Sequence, residues 1–192
     1  MRHGASTVVA LVGEVRAGVP EAAARARNVA LVAPEGEGFE AALRAMERAE
    51  GASAPYTLVA ADPLEGVAQA WRRLWTGAET PGEEGFEHAV RELLTAESRI
   101  LLPDYYIVLA ARPPAGGRPE PHRDDFHLGV LSSARSARVV GITPGVAVTQ
   151  DAARLLATLP RLRQGPWWPP LEHLVASARG FFPGSLAGAS QA

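Results

Sequence analysis

Hydrophobic and polar residues alternate in blocks along the first hundred positions, and the blocks fall into a rhythm of strand and helix. From Asn28 to Trp75 the chain runs NVALVAP, EGEGF, EAALRAMERAE, YTLVAADP and LEGVAQAWRRLW. Two short apolar runs flanking an amphipathic helix of this length predict a βαβ crossover, which requires parallel strands and a sheet covered on at least one face. Upstream, the β-rich run Thr7 to Val15 predicts a first strand, Gly18-Val19-Pro20 a turn, and Glu21 to Arg27 a short Ala-rich helix. The opening therefore reads as a βαβαβα pattern.

Two helices that follow carry clear start signals. Asp62-Pro63-Leu64-Glu65 has the form of a capping box with proline at the first helical position, and Leu64, Val67, Ala68, Trp71, Leu74 and Trp75 share one apolar face. Thr80-Pro81-Gly82-Glu83 repeats that grammar ahead of Phe86, Val90, Leu93 and Leu94. Both faces are expected to pack on the sheet, with Trp71 and Trp75 in the core.

Beyond Ser98 the pattern changes. Ile100 to Ala111 is a long apolar run interrupted at Pro103-Asp104, which predicts a strand buried on both faces. Arg112 to Asp125 predicts a long polar loop, and Phe126 to Leu131 and Arg138 to Ile142 predict two further strands. The connection between those two is short enough for antiparallel pairing. A helix capped at Thr149 or Asp151 and closed at Pro160, a proline-flanked strap containing Trp167-Trp168, and a last helix carrying Leu171, Leu174, Val175 and Ala178 complete the reading. The expected fold class is α/β, a single domain over residues 1–182 with a largely parallel or mixed sheet flanked by helices, followed by a flexible tail over 183–192.

Composition narrows the chemistry. At 192 residues the chain is long enough to bury roughly 70% of its unfolded surface without staples. It has no cysteine, which excludes disulfides, thiolate zinc sites, iron–sulfur clusters and a cysteine nucleophile. All 19 basic residues are arginine, so no lysine is present for a phosphate loop or a Schiff base. With abundant Ala, Gly, Pro and Glu, this reads as the coding bias of a GC-rich bacterium. The net charge of −2 is uneven: residues 1–98 carry 9 Arg against 15 acids, and residues 99–192 carry 10 Arg against 6 acids. The apolar run near the start is too short for a signal-peptide core and none approaches the ~18 residues of a membrane span. A cytoplasmic protein with no membrane association and no resident cofactor is expected.

Candidate sites are few. His122, Asp125 and His127 lie close in sequence; if the strand has begun by Asp125, that residue and His127 share a side, and imidazole with carboxylate suits zinc, iron or manganese. Arg118, Arg123, Arg135 and Arg138, with Tyr105, Tyr106 and Phe126 nearby, could contact an anion or single-stranded nucleic acid. Trp167 and Trp168 on a stiff segment are candidate interface anchors. The turn Glu35-Gly36-Glu37-Gly38 has glycines between strand and helix, but three nearby carboxylates oppose a phosphate there. No G-x-S-x-G elbow is present, and Ser185 in Gly184-Ser185-Leu186-Ala187-Gly188 stands one place early. Missing catalytic signatures and the aromatic strap favour a noncatalytic binding or protein-interaction module, with a second copy of the chain or another protein as its partner; the alternatives are a metal- or small-ligand-binding enzyme with its site around His122–His127, and a nucleic-acid-binding protein using the arginine-rich half.

Overall fold

A computed structural model describes residues 6–76, 82–110 and 124–182. Its described strands are β1 (Thr7–Gly13), β2 (Val29–Val32), β3 (Tyr56–Val59), β4 (Tyr105–Leu109) and β5 (Val139–Ile142), forming one sheet in the order β2-β3-β1-β4-β5. Every pairing is parallel: Thr7 lies opposite Tyr56, Val9 opposite Tyr105, Val29 opposite Tyr56, and Tyr106 opposite Val139. The expected βαβαβα opening is present, and the sheet has no antiparallel pair among the described residues.

The helices are α1 (Val19–Ala23), α2 (Phe39–Glu50), α3 (Glu65–Thr76), α4 (Gly82–Thr95), α5 (Ser132–Arg135), α6 (Val148–Thr158) and α7 (Leu171–Gly180), with a π-helical segment at Phe126–Leu131. Alternate strand residues bury on opposite faces. Ala10, Val12, Tyr106 and Val108 pack with α3, α4, α7 and the π-helical segment, and Val8 and Val59 pack with α2 on that same face. Val9, Leu11, Leu58, Ile107 and Leu109 pack on the other face with α1 and α6. Right-handed crossovers explain this division: the chain steps one way from β1 to β2, then returns across the sheet to β3, β4 and β5, so the connecting helices must change face.

Three sequence expectations need correction. Phe126–Leu131 is helical, not a strand: Phe126, His127, Val130 and Leu131 are buried while Leu128 and Gly129 are exposed, the i, i+4 pattern of a helix face. Six mostly apolar residues are too few for periodicity alone to separate the two states. The β4 strand is also shorter than the apolar run. It begins after Asp104, whose carboxylate accepts the Val8 N–H at 2.7 Å while its own N–H donates to the Val8 carbonyl at 2.8 Å. Finally, α1 spans only five residues and starts at Val19, with Pro20 in its first turn. The second predicted capping box, at Thr80-Pro81, lies outside the described residues, as does the tail from 183.

Candidate functional site at the carboxyl end of the central strand

In open α/β sheets, ligands bind at the carboxyl ends of the strands where adjacent connections diverge to opposite faces. Here that point is the end of β1. Its connection leads to α1 on one face, whereas those of its neighbours β3 and β4 lead to α3 and to the π-helical segment on the other. The sequence places unusual residues there. Gly13 closes β1 with φ of 86°, and a Cβ built on it would stand 2.5 Å from the Leu109 carbonyl oxygen and 3.1 Å from Asp124 Oδ1. Only a glycine lets β1 and β4 end this close together.

Asp62 follows β3 and serves two structures at once. Its Oδ1 accepts the Leu64 N–H at 2.8 Å, capping α3, and the Tyr106 hydroxyl at 2.9 Å. Its Oδ2 lies 2.9 Å from His127 Nε2. The capping box is only half realised, because the Glu65 carboxylate accepts from Gln69 Nε2 at 2.7 Å instead of reaching back. Asp62 is 7% exposed, His127 5% and Tyr106 0%. Tyr106 is the second residue of β4, and its ring is 5.4 Å from the His127 ring.

The π-helical turn is what aims His127 at this carboxylate. The Ser132 N–H donates to the His127 carbonyl, five residues back, and such widened turns concentrate at functional sites. The result is a buried imidazole and carboxylate in contact. A core could be filled more cheaply by apolar residues, since taking an imidazole and a carboxyl group out of water is costly even when they bond to each other.

The sequence candidates fare unequally. His127 is in the site, but Asp125 is exposed and does not share its side: in a helix, residues two apart point in nearly opposite directions. His122, Arg118 and Arg123 lie outside the described residues. Among the described residues, no three His, Asp or Glu side chains are grouped so as to hold a metal ion. Arg138 is buried and donates to the carbonyls of Asp104, Gly165 and Pro166, and Arg135 donates to those of Trp167 and Ala134. Arg138 thus fastens the strap to the segment that leads into β4, and Arg135 fastens it to α5.

The strap divides its two indoles. Trp168 is 6% exposed, donates Nε1–H to the Pro103 carbonyl at 2.7 Å and meets Tyr106 edge-on at 5.6 Å. Trp167 is 41% exposed, with the Arg138 guanidinium 4.5 Å from its ring centre.

Asp62 and Gly13 were absent from the sequence candidates, and Tyr106 was named only beside the arginines as a nucleic-acid contact. The available signal was positional: an acid immediately after a strand, ahead of a Pro-started helix, falls where the crevice of such a sheet opens. The loop after β1 also has two glycines five apart, Gly13 and Gly18, which is the spacing of a phosphate loop. Val19 and Pro20 stand where that chemistry needs Lys and Ser or Thr, and Pro20 offers no N–H. Arg16 from this loop instead bonds the Gly145 carbonyl at 3.2 Å and pairs with Asp151 at 3.3 Å, tying it to the loop after β5. The Gly36–Gly38 turn lies at edge strand β2, and Glu40 beside it pairs with Arg99 at 2.8 Å; the hydrogen bond from Arg99 holds the Glu40 carboxyl below the ordinary carboxylate range.

Comparison of the sequence with protein-family models gives no match, and comparison with curated proteins gives none either.

Proposed function

We propose that this chain is a cytoplasmic α/β protein that binds a small polar ligand at the carboxyl end of β1, with His127 as the group that meets it. The observation that supports this reading is the buried contact between His127 Nε2 and Asp62 Oδ2, the latter carried by the segment that follows β3, the parallel neighbour of the central strand. An imidazole carries both a hydrogen-bond donor and an acceptor, so the same site suits either recognition or proton transfer. No metal is part of this reading.

The test is ligand-observed NMR with mixed sugar, amino-acid and nucleoside probes. Wild type is expected to transfer saturation to at least one probe, and folded His127→Gln to lose that transfer. No transfer to any probe from wild type, or equal transfer from the variant, would overturn the proposal.

One observation favours a second reading, a protein-interaction surface. Trp167 is exposed on a strap whose backbone is held by Arg135 and Arg138, so its indole is pre-organised for contact with a partner or a second copy of the chain. The nucleic-acid reading gains no such support, because both described candidate arginines bind backbone carbonyls.

A further inference from the structure

The hydrogen bonds around Asp62 bear on where His127 keeps its proton. An ionised carboxylate only accepts. The Leu64 N–H and the Tyr106 hydroxyl both converge on Oδ1, at 2.8 and 2.9 Å. That leaves Oδ2, at 2.9 Å, for His127 Nε2. With a carboxylate opposite it, Nε2 must be the donor.

We infer that Asp62, braced by Tyr106, is a positioning residue that holds His127 with its hydrogen on Nε2, making Nδ1 the atom through which the imidazole exchanges a proton. Resting on the ligand site proposed above, this names the chemical class of the ligand: a molecule that offers an O–H or N–H hydrogen to a lone pair. Transfer of a ligand hydroxyl proton to Nδ1 leaves an alkoxide on the ligand and an imidazolium whose Nε2–H remains on Asp62. The carboxylate stabilises that cation without taking its proton, because Tyr106 and Leu64 continue to donate to it.

Long-range ¹H–¹⁵N NMR of imidazole-labelled full-length protein tests this directly and needs no ligand, so its outcome is separate from that of the probe screen. At a pH where the ring is neutral, His127 is expected to show a protonated Nε2 and an unprotonated Nδ1. A hydrogen on Nδ1 of the neutral ring would overturn the inference. In Asp62→Asn the side-chain amide can still accept from Leu64 but can also donate toward Nε2, so the population is expected to move to the Nδ1–H tautomer. Tyr106→Phe leaves Oδ2 untouched and should keep the Nε2–H form. An unchanged tautomer in folded Asp62→Asn would show that Asp62 does not set it. Should that variant fail to fold, the wild-type spectrum alone decides.

Discussion

At the scale of single residues, the molecule depends on a few positions that admit no substitute. Gly13 has both a left-handed φ and a carbonyl in the way, whereas Gly36 has φ of 95° with nothing within 4 Å of an added Cβ. Gly13→Ala is therefore expected to cost more than Gly36→Ala. Backbone strain alone is worth about 1–2 kcal/mol at each, and the clash with Leu109 adds to it only at Gly13. Urea denaturation of the two variants checks this, and equal midpoints would contradict it. The strap tryptophans should separate in the same way. Trp168→Ala removes a buried ring and leaves the Pro103 carbonyl without its donor, at about 3–5 kcal/mol, while Trp167→Ala should change stability by less than about 1 kcal/mol.

Residues of this kind also mark the limit of what a sequence conveys. Trp167 and Trp168 are adjacent and chemically identical, so nothing local says which one faces Pro103. Asp62 was legible as a helix cap, but its contacts with Tyr106 and His127 bridge 44 and 65 residues. His127 was legible as a candidate; its partner was not, because that depended on a helix where short apolar runs predict a strand equally well.

At the scale of elements, periodicity did most of the predictive work. The strands β1 to β3 lie where short apolar runs bounded by turn residues put them, and the apolar faces of α2, α3 and α7 lie where helical spacing put them, since those helices are long enough to show their period. The α4 and α7 helices illustrate how such elements are then locked. Phe86 meets Phe182 edge-on at 5.0 Å, Trp71 Nε1–H reaches the Ala178 carbonyl at 3.1 Å, and Arg179 makes two bonds to the Glu87 carboxylate at 2.7 and 2.8 Å. The Arg179 hydrogen bond holds the Glu87 carboxyl below its ordinary range, against a smaller opposing effect of burial. A depressed carboxyl stabilises the fold above its unfolded value and loses that contribution as pH falls through the folded one. Because the pair is partly exposed, Arg179→Ala should cost only about 0.5 kcal/mol at neutral pH. The difference from wild type should vanish below the carboxylate range and shrink in high salt. A deficit that persists unchanged in acid would assign the effect to packing instead.

At the scale of the whole molecule, the uneven charge seen along the sequence becomes internal. The basic second half and the acidic first half meet in the pairs Arg99–Glu40 and Arg179–Glu87, which join residues 59 and 92 positions apart. Among the described residues, no helix is long and apolar enough to cross a membrane. If Trp167 anchors a second copy, sedimentation of wild type should show a concentration-dependent dimer that Trp167→Ala dissolves at unchanged thermal stability. A wild type that stays monomeric at all concentrations would remove self-association.

The position of β1 in the sheet has a consequence for how the protein is made. Among the described strands it comes first in sequence and lies central in space, paired with β3 about 50 residues later and with β4 about 100 residues later. A ribosome therefore releases the run Val8-Val9-Ala10-Leu11-Val12 well before either partner exists. Neither edge can be satisfied by a local hairpin, so pairing must wait for distant chain, and sheets closed by such long-range parallel contacts assemble slowly and expose sticky intermediates. The strand that anchors the finished molecule is also the one that a nascent chain must shield longest.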